Sequence, residues 1–424
     1  MFFRDTGTCC MLNKNDYDAV ICSHCDCIVL LPGEQYIGRK RYCCPHCGAV
    51  VRQARYVSMR ILAMTALSAL ILLLATVFTP FMSVSAYSIH AGMSLPDIYT
   101  ALFPAWLPLL LVFTLLAVVF PLIMLLQICF YGFLPCKKPG RLAARIYAVC
   151  HHFTMIDVFV LGISVSLVKL VSLTDITFNS GFFAGMLCSA LIIWCSVKMP
   201  PLRFWGKVME QSRFDLAGGK IRLDLKAKDQ GIVVCRRCGK FFRPGETPCC
   251  PRCGAAASFR SRGCRSCCFL LLLAAAVLYI PANLYPIMFT DYLGSSLGSN
   301  ILSGVVSMWE MDSYFVAVVI FIASLCIPVF KIISLGFLLC KLKKKAAYKY
   351  IKRYSTLYRC VAFIGKWSMI DVFVVIIMST IVRMGGMLTI APGIAIICFC
   401  MVVIITIFAA EEFDERFLWD LEAP

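Results

Sequence analysis

Long apolar stretches constrain this chain more than any other feature. Ile61–Phe78, Leu107–Tyr131 and Tyr314–Cys340 contain between them one charged residue, Lys331. A helix rising 1.5 Å per residue needs about 20 apolar residues to cross a hydrocarbon core about 30 Å thick. The pattern predicts eight spans, over 59–80, 105–131, 153–173, 181–198, 268–288, 313–340, 367–387 and 391–410. The third and seventh are the least clean, because each carries an aspartate near its start and a base near its end. Composition agrees: 60% of residues are hydrophobic and 15% charged, against about half and a quarter in soluble domains. The first fifty residues are polar and cysteine-rich, without the apolar core of a signal peptide.

The net charge of +18 suggests nucleic acid at first sight, but its placement points to a membrane. Segments 81–104, 170–182 and 289–312 contain no Lys or Arg. The intervening loops are basic, with Lys137, Lys138, Arg141 and Arg145 in one. The other carries Lys341, Lys343, Lys344, Lys345, Lys349, Lys352, Arg353, Arg359 and Lys366. By the positive-inside rule the basic loops face the cytoplasm. Both termini and the basic segment 203–265 are then cytoplasmic, and no nucleic-acid partner is expected.

The chain repeats itself. Met155-Ile156-Asp157-Val158-Phe159-Val160 returns unchanged as Met369-Ile370-Asp371-Val372-Phe373-Val374, 214 residues on. Pro121 is echoed by Pro328, and Pro80 by Pro286. This period is too long for a solenoid. It describes a duplicated unit of cysteine ribbon plus four helices, with both copies in one orientation. The expected domains are a ribbon over 1–56, a four-helix repeat over 57–202, a second ribbon with basic linker over 203–265, a second repeat over 266–410, and an acidic tail over 411–424. The fold class is an all-α polytopic membrane protein of eight helices, with two small β ribbons.

Each ribbon offers two Cys-x-x-Cys knuckles: Cys22 and Cys25 with Cys44 and Cys47, then Cys235 and Cys238 with Cys250 and Cys253. Four thiolates so spaced surround one tetrahedral ion, and the gaps of 18 and 11 residues suit a short hairpin. Gly48 and Gly254 stand where a knuckle turn needs positive φ. Paired disulfides are the other reading, disfavoured on a reducing cytoplasmic face; rubredoxin-like iron uses the same spacing. The expectation is two structural Zn2+ ions. Most remaining cysteines lie in helices, where cysteine acts as a small apolar residue. Cys264-x-x-Cys267 is the pair to watch for redox chemistry.

The order ribbon, four helices, ribbon, four helices resembles the paraquat-inducible protein A and LetA family over essentially the whole chain. The specific marks are Pro281-Ala282-Asn283-Leu284-Tyr285-Pro286, Ile301-Leu302-Ser303-Gly304, Gly365-Lys366-Trp367-Ser368-Met369-Ile370-Asp371 and the acidic run from Glu411 to Asp420. The N-terminal repeat departs, with His152-Phe153-Thr154 where the other has Lys366-Trp367-Ser368. The resemblance implies a bacterial inner-membrane protein that partners a periplasmic MCE-domain protein, whose stacked rings form a tunnel. It implies movement of membrane lipid between inner and outer membranes, with this chain loading or extracting lipid at the tunnel mouth. No Gly-x-x-x-x-Gly-Lys-Ser/Thr nucleotide motif occurs.

Ionisable groups in hydrocarbon cost about 2.5–3.5 kcal/mol on insertion scales and are functional candidates by default. Lys331 lies ten residues before Lys341, hence about 15 Å deep, with Ser324 seven residues earlier on the same face. The first repeat has Met124 in the matching place. Lys331 is expected to serve transport, or else to be a structural lysine held by a helix carbonyl or buried acid. Asp157 and Asp371 recur near helix starts, where a carboxylate complements the dipole. Lys169 and Arg383 are placed to snorkel. Ser368, Thr406 and Asp175 could join a polar path, although helical hydroxyls often bond back to a carbonyl.

Two other functions fit the same residues: a secondary transporter of small molecules or ions using Lys331, and a redox- or metal-sensing membrane protein. An enzyme is not expected, since the five histidines are scattered and no nucleophile–base spacing is recognisable. The orientation is tested by reporter tags: Ser295 is expected to be accessible from the periplasm, and Gly218 and Ala423 from the cytoplasm. A periplasmic Gly218 would overturn the eight-helix arrangement.

Overall fold

A computed structural model of the protein describes residues 17–32, 42–52, 57–86, 89–103, 106–134, 137–171, 175–209, 226–243, 249–256, 258–261, 263–292, 295–310, 312, 314–342, 345–383 and 388–422. The chain separates into two compact units, Met1–Tyr56 with Trp205–Ser261, and Val57–Phe204 with Arg262–Pro424.

The first unit gathers both cysteine segments. Tyr17–Ile21 pairs antiparallel with Ile28–Pro32, and Val233–Val234 with Phe241–Phe242, each hairpin presenting a knuckle at its tip. Ile21 and Ile28 of the first ribbon pack with Ala227, Ile232, Val234 and Phe241 of the second in one buried cluster. The Ala227 amide donates to the Asp26 carbonyl at 2.9 Å, and the Arg260 guanidinium pairs with the Asp26 carboxylate. The two ribbons therefore fold on a shared core.

The second unit is a multi-pass helical bundle of two four-helix repeats. In the first, α1 (Met59–Phe78) leads to a hairpin of β1 (Met82–Ala86) and β2 (Ile89–Met93). A short α2 (Leu95–Leu102) follows, opened by a capping box in which the Ser94 amide donates to Asp97 at 2.7 Å. Next come α3 (Leu107–Phe133), α4 (Arg141–Phe153), α5 (Ile156–Val171), β3 (Asp175–Phe178) and α6 (Ser180–Lys198). The second repeat runs α7 (Cys264–Leu284), β4 (Met288–Tyr292), β5 (Ser295–Ser299), α8 (Ile301–Glu310), α9 over 314–341, α10 (Tyr348–Ile364), α11 (Ile370–Arg383), β6 (Leu388–Pro392) and α12 (Ile394–Glu412).

Among the described residues seven helical stretches are long and apolar enough to cross a membrane, with α4 and the first part of α5 counted together as Arg141–Ser164. The eighth, α11, has 14 residues and starts after a 3-10 turn, Gly365–Met369. Its mate α5 has 16 and is parted from α4 at Thr154 and Met155. At 1.5 Å per residue these rise about 21 and 24 Å, so the third helix of each repeat is shorter than the expected spans 153–173 and 367–387. Beyond each of these short helices lies a strand, β3 or β6. β3 joins β1 and β2 in a three-stranded antiparallel sheet ordered β2-β1-β3, and β6 joins β4 and β5 as β5-β4-β6. These sheets, built from the segments free of Lys and Arg, lie outside the sequence expectation.

Repeat also governs the irregular turns. The Phe120 amide bonds five residues back to Leu115, and the Ile327 amide to Ile322. Each π turn immediately precedes its proline, Pro121 or Pro328, where the ring has no N–H to give and would strike the preceding turn. Within a repeat the helices approach through small residues, as lipid offers no hydrophobic drive between them. Ala63, Ala66 and Ala69 are fully buried on α1, and a Cβ built on Gly132 would stand 2.6 Å from the Ala63 Cβ.

Between repeats, α5 packs on α11, so the duplicated sextets lie in one core cluster. Phe159 and its mate Phe373 meet edge to face at 5.8 Å, and Phe113 closes a trio at 5.4 and 6.0 Å. Gly132→Leu is expected to overpack the α1–α3 crossing by about 1–3 kcal/mol, lowering the melting temperature in detergent by several degrees. Gly336→Ala, where the added Cβ meets nothing within 4 Å, is the matched control and should hold or raise it.

Candidate functional site

Two kinds of site follow from this framework. In each ribbon the four thiols are buried and gathered, all Sγ atoms of a set lying within 4.8 Å of one another. Cys22 and Cys47 stand 3.5 Å apart, Cys25 and Cys44 3.6 Å, Cys235 and Cys253 3.4 Å, and Cys238 and Cys250 3.5 Å. A disulfide needs about 2.05 Å. Tetrahedral metal–sulfur bonds of 2.3 Å place sulfurs about 3.8 Å apart. Each cluster therefore could hold a metal ion.

Local backbone imposes this geometry. The amides of Asp26, Gly48, Gly239 and Gly254 each bond back to the carbonyl of the first cysteine in their knuckle, at 2.8–3.0 Å. All four residues have positive φ, from 58° to 72°. Glycine accepts that conformation freely and aspartate tolerates it. Gly48 and Gly254 were legible in the sequence; Gly239 and Asp26 complete the set by the same spacing. The thiols do not hold protons independently. Bonding from Cys22 holds Cys47 down at about 6, and bonding from Cys238 holds Cys235 down at about 5. Cys25 and Cys238 are pushed up, each first by its knuckle partner. A cation would take the place of these shared protons.

The second site is intramembrane. Lys331 is 1% exposed and its Nζ has no hydrogen-bond partner among the described residues. Ser368, in the 3-10 turn before α11, is fully buried with its Oγ also unpartnered. Helix α9 packs on both that turn and α12. Repeat register relates the two residues: Lys331 takes the place of Met124, and Ser368 that of Thr154. In the first repeat those mates adjoin, with the Thr154 Oγ1 at 3.9 Å from the Met124 Sδ. Burying an amide or hydroxyl unpaired already costs about 1–3 kcal/mol, and a charge costs more. Among the described residues no other lysine amine is both buried and unpartnered.

The remaining expected residues separate. Ser324 is buried in the π turn of α9. Thr406 is buried in α12 and donates back to the Val403 carbonyl at 2.9 Å, its ordinary helical role. Asp157 is half-buried in the first turn of α5. Asp371 starts α11, and Asp175 opens β3 opposite Ser85; the side chains of both lie outside the described residues, as do those of Lys169 and Arg383. Sequence reasoning passed over Ser334, buried one turn beyond Lys331, although i+3 spacing points to it. It also passed over Tyr279, whose hydroxyl donates to the Leu325 carbonyl in the π turn at 3.3 Å. Cys264 and Cys267 part company on α7: Cys264 is buried and accepts the Asp414 amide at 3.2 Å, whereas Cys267 is exposed.

Comparison with known proteins agrees with this architecture. The chain is 34% identical over 407 residues to the intermembrane transport protein PqiA of Escherichia coli K12, covering 95% of each. It is 28% identical over 421 residues to the lipophilic envelope-spanning tunnel protein A of the same organism, covering 96% of this chain and 92% of that one. It is 25% identical over 429 residues to a probable intermembrane transport protein of Haemophilus influenzae, covering 97% and 98%. No solved structure matches. The family model for paraquat-inducible protein A matches twice, over residues 59–209 and 266–422, once for each repeat. This tandem-repeat membrane protein belongs to the paraquat-inducible protein A family.

Proposed function

We propose that this chain is the inner-membrane subunit of an intermembrane phospholipid transport system, loading or extracting lipid for a periplasmic MCE-protein tunnel. The observation that carries the reading is Lys331, a buried amine with no hydrogen-bond partner among the described residues in a helix otherwise free of charge from Tyr314 to Cys340. Such a group has a use for a passing ligand: it can grip a lipid phosphate or relay a proton, with the Ser368 hydroxyl as second donor. Ser324, Ser334 and Thr406 line the same part of the second repeat, and Asp371 and Asp157 stand at the helix starts on the basic side. The relatives' names support transport between membranes. The excess of Lys and Arg in alternate loops supports cytoplasmic termini.

The thiolate sets are proposed to hold structural zinc, whose closed four-sulfur shell supplies folding energy and leaves no open position for catalysis. Purified protein is expected to carry close to two zinc ions per chain by elemental analysis. Cys22→Ser or Cys235→Ser should lower both zinc content and folded yield. Zinc binding displaces thiol protons, so retention should weaken as pH falls. Metal-free wild-type protein with oxidised cysteines would remove this reading.

The transport site is tested through the asymmetry of the repeats. Lys331→Met copies the counterpart Met124 and keeps side-chain length, so stability should hold or rise. Expression, metal content and partner binding are expected to be unchanged, while rescue of an envelope-defective strain is lost. Full rescue would make the charge dispensable. Failure to accumulate in the membrane would make Lys331 a structural tie. Either outcome rejects the site.

A further inference from the structure

Where α9 ends at Lys341, the chain turns into the basic helix α10 and meets the end of the acidic tail. A cavity of about 150 Å³ lies there, rimmed by Lys341 and Lys345, with Tyr354 at its side and Ile351, Leu418 and Leu421 as an apolar floor. Its walls are fixed. The Ala346 amide donates to the Leu421 carbonyl at 3.0 Å, and Ala346 bridges Glu422 in parallel. Trp419 is buried, with its ring 6.0 Å from Tyr348. Glu415 binds Arg359 at 3.0 Å and accepts the Ser355 hydroxyl, and Tyr358 donates to the Ala410 carbonyl at 2.9 Å.

The acidic tail brings carboxylates to this cavity as well: Asp420 and Glu422 flank the lining residue Leu421. Glu415 is committed to Arg359, and Asp414 to Arg416 at 3.0 Å. Among the described residues neither Lys341 nor Lys345 has a carboxylate partner. The Lys341 amine instead rests 5.1 Å over the Phe337 ring, and Phe337 is itself exposed on the outer surface of α9. Two lysines and three aliphatic residues lining one cavity, at the end of a membrane-spanning helix, complement an anion carried on an apolar body. Lysines at this depth lie at the level of the headgroups. We propose that this cavity binds the phosphate of an anionic membrane lipid, Lys341 and Lys345 contacting the phosphate and Ile351, Leu418 and Leu421 the glycerol and first methylenes. The site is separate from Lys331 and stands whether or not the chain moves lipid.

The test uses delipidated full-length protein in detergent, with phosphatidylglycerol, phosphatidylcholine and inorganic phosphate as probes and native mass spectrometry as readout. Phosphatidylglycerol should be retained in preference to phosphatidylcholine. Removing both charges in Lys341→Gln with Lys345→Gln should weaken retention about thirtyfold, since each basic residue near an anionic surface is worth about 1 kcal/mol. Lys341→Arg with Lys345→Arg should retain the lipid, and Lys349→Gln with Lys352→Gln, on the exposed part of α10, should change it less than about twofold. Displacement by millimolar inorganic phosphate would assign the anion to the soluble pool; resistance would assign it to lipid. Equal retention by the Lys341/Lys345 glutamine pair, or equal loss from both glutamine pairs, overturns the proposal. Should that pair lower the melting temperature or metal content, Lys345→Glu alone, at an exposed position, provides the same test.

Discussion

The crossing of α5 over α11 is the contact on which the membrane unit turns. The same sextet opens both helices, and Met155, Val158, Phe159 and Val160 of one copy share a buried cluster with Met369, Ile370, Val372, Phe373 and Val374 of the other. A change in the sextet is felt from both sides when each copy packs against the other, as in an isologous dimer interface. Phe159 and Phe373 illustrate the constraint, each presenting an edge to the other's face and to Phe113. Truncating one such ring costs about 3–5 kcal/mol in a packed core. Gly162 lets the backbones close, since a Cβ there would stand 3.0 Å from the Phe373 Cβ. The shared apolar residues of the two sextets thus answer to one packing constraint.

Elsewhere the repeats separate. Both keep a π turn, a proline and a buried side chain three residues later, so the scaffold around Met124 and Lys331 is the same. In the first repeat the position is filled by a thioether that tolerates weak contacts with the hydroxyls of Thr154 and Ser196, both at 3.9 Å. In the second it is filled by an amine with no hydrogen-bond partner among the described residues. The matching place holds a long unbranched side chain in each repeat, Met124 in one and Lys331 in the other. The two differ in chemistry far more than in volume, so one scaffold packs around either.

Which parts were legible follows from the range of the interactions involved. Six of the spans are written in contiguous apolar runs, and the metal sets in cysteine spacing, because a helix in lipid and a knuckle are both local structures. The short α5 and α11 were harder to bound. Their ends are set by the Thr154–Met155 break and by strands β3 and β6, whose partners lie about 90 or 100 residues earlier in the chain. Such pairing leaves little local signal in segments such as Ser295–Ser299. The core shared by the ribbons was equally hidden: Ile21 and Phe241 read as ordinary hairpin residues until the fold brings them together. Lys331 stood out because one charge in an apolar run needs no partner to be noticed, whereas Ser368 acquires meaning only through the repeat.

The shared ribbon core also has an energetic consequence. A module of this size buries too little apolar surface to fold on its core alone, which is why small domains lean on metals. Here the half of the core that each ribbon lacks is supplied by the other, through Ile21 and Ile28 on one side and Ile232, Val234 and Phe241 on the other. A metal ion held by one cluster would order its hairpin, the surface against which the second hairpin packs. Two such ions would then be linked through folding, each adding to the stability of the site it does not touch.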